Sequence, residues 1–263
     1  MSNPRLPPEI LDHIVDLLHD TEDALKNCCL VSKSWIPRTR KHLFADIKFY
    51  PEKTLQSWKE TFPDPSTSPA HYAKTLNFDY SHLVTAADGE PGGWITGFSG
   101  VVHLKMDNNI MLSRALAAGF IPFHGFSSVI KSLHIYFVHL PSPQCSDLIL
   151  SFPLLEDLIV RALVVSLYDN GHYGLPTVAQ PSTSPAFTGS LELSLRGGME
   201  PIARRLLSSP GGIRFRKLTL DWRREEDPLL TTALVEECSY TLEFLDIIYN
   251  FRCKFIRHLQ PRR

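Results

Sequence analysis

Eleven histidines and five cysteines are the side chains of this 263-residue chain best suited to hold a metal or to carry covalent chemistry. Cys28, Cys29, Cys145, Cys238 and Cys253 form an odd, scattered set with no C-x-x-C pair. Adjacent Cys28 and Cys29 cannot easily bond each other or share one tetrahedral ion. Five unpaired thiols suit a reducing compartment, so the expected location is cytoplasmic or nuclear. The histidines are dispersed, and His13 and His19 fall in an acidic helical stretch where a solvated ring is the plain reading. Only a Cys–His pair assembled by folding stays open. No G-x-x-x-x-G-K-[ST] loop, G-x-S-x-G elbow, H-E-x-x-H pair or dinucleotide-binding glycine fingerprint occurs. Gly89-Glu90-Pro91-Gly92-Gly93-Trp94 is turn chemistry. The expectation is a protein that is not an enzyme, with no metal and no cofactor.

Composition narrows the partners. A net charge of −1 lacks the clustered positive surplus that binding to phosphate backbones requires, which argues against nucleic acid. The basic tail of Arg252, Lys254, Arg257, Arg262 and Arg263 reads as neutralising acidic neighbours or as the stub of a longer product. Met1 to Ile10 carries two charges, three prolines and no apolar stretch, so a secretory leader is not expected there. The longest apolar run, from Leu158 to Leu167, is broken by Arg161 and falls short of the ~20 residues that cross a bilayer. Hydrophobic (43%) and charged (21%) fractions are those of a folded globular chain with no membrane partner.

The elements that would position a functional surface begin at once. Prolines 7 and 8 stand where a helix start tolerates them, and Ile10, Ile14, Leu17 and Leu18 recur at helical spacing, with Asp12, His13 and Asp16 expected outward. Asp20 or Thr21 can cap a second helix over 22–31 that presents Leu25, Cys28 and Cys29 on one face. A third helix follows, capped by Ser34, with Pro37 in its first turn and Leu43-Phe44 at its end. Three helices this short bury too little apolar surface to stand alone, so they need a partner or the rest of the chain.

The order Leu6-Pro7-x-Glu9-Ile10, then Ile14, Leu17-Leu18, Leu30-Val31-Ser32-Lys33-x-Trp35 and Leu43-Phe44 resembles the F-box pattern. The run from Asn27 to Trp35 is especially similar to F-box-like proteins of mushroom-forming fungi. The terminal Leu-Trp common in that family is Leu43-Phe44 here. The resemblance covers about one sixth of the chain. It implies a trihelical unit that binds the Skp-type adaptor of a cullin–RING ubiquitin ligase, with Leu6, Pro7, Ile10, Ile14, Leu30, Val31 and Trp35 at the adaptor-facing and core-forming positions.

Beyond a proline-rich connection with one short helix over 54–62, a second pattern appears. The unit apolar-x-x-Leu-x-apolar occurs around Leu76, Leu104, Leu133, Leu158, Leu191, Leu218 and Leu245. Successive steps are 28, 29, 25, 33, 27 and 27 residues. The long step holds a loop-like insertion, 169–187. Helix-like stretches lie between the units at 111–120, 144–152, 199–208 and 228–238. A strand and a helix every ~27 residues resembles a degenerate leucine-rich repeat, whose usual closing Asn survives only as Asn109 and Asn250. A mixed α/β domain with leucine-rich strands is the alternative.

Period-two alternation then sends Asn77, Lys105, His134, Ile159, Glu192, Thr219 and Asp246 to the face opposite the leucines, with Tyr136, Arg161 and Asp221 in a second row. Lys105, His134, Tyr136, Arg161, Glu192, Asp221 and Asp246 are the candidate target-binding residues. The expected fold is α/β: a three-helix F-box over 1–48, a linker over 49–72 and a leucine-rich-repeat-like strand and helix solenoid over 73–263. The expected function is that of a substrate-recognition adaptor in an SCF-type ubiquitin ligase. The rival is a scaffolding repeat protein whose F-box-like segment caps the solenoid.

Overall fold

The computed structural model describes residues 7–50, 55–64, 66–79, 97–107, 129–136, 139–141, 148–161, 164–166, 187–194, 200–209, 211–222 and 228–249. Leu6, Cys145, Cys253, Asn109, Asn250, the 169–186 part of the insertion, the helix expected over 111–120 and the basic tail lie outside these residues.

The chain starts with α1 (Pro8–Leu17), α2 (Glu22–Val31) and α3 (Ile36–Leu43). Proline at the first helical position of α1 costs no hydrogen bond, because that N–H has no intrahelical partner. The buried side of α1 centres on Val15, with Leu11, Ile14 and Leu18 half-buried, whereas Ile10 and Leu17 are exposed. The expected stripe is thus rotated. Each residue advances ~100° around the axis, and Ile10 and Leu17 lie one residue before Leu11 and Leu18, on a flank. Asp16, expected outward, is half-buried against α3.

In α2 the expected face is observed, with Leu25 and Cys28 buried and Cys29 half-buried. Thr21 occupies the cap position but its hydroxyl makes no capping bond; Glu22 and Asp23 in the first turn complement the helix dipole instead. Trp35, not Ser34, occupies the cap of α3. The Ser34 amide donates to Ser32 Oγ (3.3 Å), which holds it in the preceding turn, and the Thr39 amide and hydroxyl both donate to the Trp35 carbonyl.

An unexpected strand follows, β1 (Asp46–Phe49), straddling the boundary expected after residue 48. Then come α4 (Leu55–Thr61), a 3-10 turn (Pro69–Tyr72) and the strands β2 (Thr75–Asp79), β3 (His103–Asp107), β4 (Ser132–Tyr136), β5 (His139–Pro141), β6 (Asp157–Arg161), β7 (Val164–Ser166) and β8 (Ser190–Ser194). The last described elements are α5 (Glu200–Leu207), β9 (Lys217–Trp222), α6 (Pro228–Cys238) and β10 (Phe244–Tyr249). Residues 148–150 are helical within the stretch expected over 144–152.

Eight strands form one sheet in the order β1-β2-β3-β4-β6-β8-β9-β10, and all its neighbours are parallel. Strands β5 and β7 pair separately, also in parallel. The expected α/β class therefore holds. All seven expected leucines are in mutual register, and Ile47 of β1 begins the row: Ile47, Leu76, Leu104, Leu133, Leu158, Leu191, Leu218, Leu245. From Leu76 to Leu218 this row is essentially fully buried; Leu245 in β10 is 42% exposed.

A second regularity sits at the strand entrances. One carbonyl just before each strand accepts two successive amides from the next strand's entrance: Ala45 from Lys74 and Thr75, Lys74 from Val102 and His103, Val102 from Lys131 and Ser132, Lys131 from Glu156 and Asp157. Gly189 and Arg216 accept in the same way from 216–217 and 243–244. The 33-residue step departs from it. There Glu156 O accepts only from Gly189 N, and Ser190 N turns to Asp157 Oδ1 (2.8 Å). A Cβ on Gly189 would sit 2.6 Å from Glu156 O, so glycine is what permits this approach.

Helices cover one side of the leucines. α5 buries Ile202, Ala203 and Leu206, and α6 buries Leu230, Leu234 and Cys238. At the β1 end an aromatic group of Phe44, Phe49, Trp58, Phe62 and Phe98, mostly in edge-to-face contact, joins α4 to the sheet. No described helix is long and apolar enough to cross a membrane.

Candidate functional site

Two surfaces carry the residues singled out from the sequence. On the helices, Ile10 is 48% exposed, Leu17 69%, Leu30 85% and Val31 67%, while Pro7 is exposed and Ile14 and Trp35 are half-buried. Leu30 and Val31 close α2, and Trp35 opens α3 four residues later. Leu17 was expected in the core stripe and instead joins the exposed set. Such exposure follows from geometry: α3 packs against both α1 and α2, and helices this short have too little surface to cover every apolar side chain.

A polar clasp ties α1 to α3. Asp16 near the end of α1 accepts from Arg38 Nε (2.6 Å) and Nη2, and from His42 Nε2 (2.7 Å), both on α3. The Arg38 and His42 hydrogen bonds hold the Asp16 carboxyl well below the usual carboxylate range. Beside the clasp, a cleft of about 640 Å³ opens between the helices, β1 and α4; His42, Leu25, Phe44 and Trp58 are among its walls.

On the sheet, alternate residues of β3, β4, β6 and β8 turn away from the leucines, and their pairing places Lys105 beside His134, and Tyr136 beside Arg161. Arg161 makes a two-pronged ion pair with Glu192, with Nη2 to Oε2 at 2.9 Å, and its guanidinium lies 5.6 Å from the centre of the Tyr136 ring. Tyr136 Oη is 3.4 Å from His134 Nδ1, and Ser132 Oγ is 3.1 Å from His134 Nε2. Burial, then the Lys105 charge, pushes the His134 imidazole below its ordinary range, and burial pushes the Tyr136 hydroxyl up. The Glu192 hydrogen bond stabilises the Arg161 cation.

Five of the seven face candidates therefore sit on neighbouring strands, four of them in one connected network. Asp221 does not join them. It is only 9% exposed, and it accepts from Ser194 Oγ (2.7 Å) across the β8–β9 pair, so its carboxylate links two strands instead of facing a partner. A buried carboxylate must be hydrogen-bonded to be tolerated, and Ser194, its register neighbour, supplies that bond. Asp246 is half-buried on β10, two strands away from Glu192.

Sequence reasoning missed Ser132, Arg38 and His42, since each acts through a partner set by strand pairing or helix packing. Among the described residues no cluster of three or more His, Cys, Asp and Glu could hold a metal ion. Cys28, Cys29 and Cys238 are free thiols, and burial raises the Cys238 thiol away from its reactive form. No family model matches this chain, and no curated protein matches it.

Proposed function

We propose that the chain is a non-catalytic substrate receptor of a cullin–RING ubiquitin ligase. In this reading α1 to α3 are an F-box that binds a Skp-type adaptor, and the repeated sheet is a leucine-rich-repeat-like solenoid whose exposed face holds a protein target. The carrying observation is the exposure of Ile10, Leu30 and Val31, three apolar side chains at positions where the sequence resembles the adaptor-binding F-box. Apolar groups left uncovered on a helical surface mark a place for another protein. Catalysis belongs to the ligase, and the receptor contributes by raising the local concentration of target near the transferring enzyme.

The test is co-purification of the full chain with a Skp-type adaptor. Leu30→Asp with Val31→Asp is expected to abolish the complex while leaving the fold intact, because both side chains are solvent-facing. An intact chain that binds no adaptor refutes the proposal.

One observation favours the rival scaffold. The helices run without a break into β1, which pairs with β2, and Phe44 packs on Trp58, so the helical unit adjoins one end of the sheet. If it serves only as a cap, amides of α1 to α3 exchange as slowly as those of the sheet and no adaptor is retained.

A further inference from the structure

The cations of the sheet face are not equivalent. Arg161 is neutralised by Glu192, Lys131 by Glu156 (2.7 Å) and Lys48 by Asp46 (3.4 Å). Lys217 has no ion-pair partner among the described residues but is exposed. Lys105 combines both disadvantages: it is half-buried at the middle of β3, and it has no ion-pair or hydrogen-bond partner among the described residues. An ammonium with no counter-charge from its own protein is available to pair with one that a ligand supplies.

The neighbours define what would fit. His134, adjacent in the sheet, has both ring nitrogens engaged by Ser132 and Tyr136, which suits a neutral imidazole and makes it a wall, not a second charge. His103, two residues before Lys105 on the same strand face, is exposed and has an N–H to offer. Asp107 follows on that face at the end of β3, so a second negative charge on the ligand would be repelled.

We propose that Lys105, with His103 beside it, is the docking point for a single carboxylate side chain, and that the target presents it on an otherwise uncharged peptide segment laid across β3 and β4. This rests on the proposed receptor function and names the chemistry of its target. A phosphate dianion is the poorer match, because the register neighbours of Lys105 in the sheet, Asn77 and His134, supply no second Lys or Arg for its other charge.

The full chain is titrated with a short Glu-Gly peptide, its Gln-Gly counterpart, a phosphoserine-Gly peptide and duplex DNA. Anisotropy and the imidazole resonances of His103 and His134 are followed. The Glu peptide is expected to bind about fivefold more tightly than the Gln peptide. That preference disappears in Lys105→Met, survives in Lys105→Arg and is unchanged in Lys217→Met. Equal binding of the Glu and Gln peptides, a preference retained in Lys105→Met, or tighter binding of the phosphoserine peptide or DNA overturns the inference. Adaptor binding is measured on the same samples. A chain that holds the adaptor without preferring the Glu peptide overturns only this inference. One that prefers the Glu peptide without holding the adaptor overturns the ligase function and supports the carboxylate site.

Discussion

The N-terminal helices and the sheet treat their apolar residues in opposite ways. Within the sheet, leucine stacks on leucine from Leu76 to Leu218 with essentially no surface left to solvent. In α1 and α2, Val15, Leu25 and Cys28 are buried, whereas Ile10, Leu17, Leu30 and Val31 face water. The sheet is a self-sufficient layer because each strand is covered by the next at a fixed register. The helices hold together through one carboxylate clasp and a small core. A region with a continuous buried apolar row and a region with uncovered apolar side chains are thus joined at β1.

The sharpest way to break this comparison is one truncation in each region. Leu133→Ala should cost about 2–5 kcal/mol in a chemical denaturation series, since the cavity lies in a close-packed row. Leu30→Ala should change stability by less than ~0.5 kcal/mol. Equal losses would mean that the helices have a hidden core.

The second effect is on binding. If the exposed apolar set is a hot spot, Leu30→Ala alone should weaken a Skp-type adaptor by about tenfold or more, measured by titration calorimetry, with the melting temperature unchanged.

A smaller effect concerns acid. The folded-state pKa of Asp16 is depressed, so its stabilisation is full above the unfolded carboxylate value and is lost as pH falls through the folded one. Amide exchange over 8–43 should therefore accelerate at strongly acidic pH before exchange in β3 to β6 does. Asp16→Asn should abolish that pH dependence and loosen the helices at neutral pH.

The smallest concerns Arg161. Its pair with Glu192 is half in solvent, so Arg161→Ala should cost under ~1 kcal/mol in stability while freeing Tyr136, seen as a change in tyrosine fluorescence.

Much of the sheet is legible because leucine spacing and strand period are both local properties of the chain. The helices over 22–31 and 228–238 follow from the same periodicity. β1 escaped because Ile47 stands in place of leucine, although Phe44-Ala45-Asp46-Ile47-Lys48-Phe49 obeys the pattern, and because Leu43-Phe44 read as a helix end. The failures at Asp16 and Asp221 have another cause. Periodicity tells which way a side chain points only when nothing nearby attracts it. Arg38 is 22 residues from Asp16, and Ser194 is 27 from Asp221. Neither neighbour can be inferred until helices pack or strands pair. Alternation puts Lys105, His134, Tyr136, Arg161 and Glu192 on the face opposite the leucines, as the strands show, but the compensation of Arg161 and the isolation of Lys105 emerge only in three dimensions.

The paired amides at each strand entrance have a mechanical consequence. Each such bond ties one strand only to its neighbour in the sheet, so tension applied along the stack is borne one joint at a time. The 33-residue step has a different joint, routed through Gly189 and the Asp157 side chain. Pulled from its two ends, the sheet should therefore come apart as a zipper, with β10, already open to water at Leu245, yielding first.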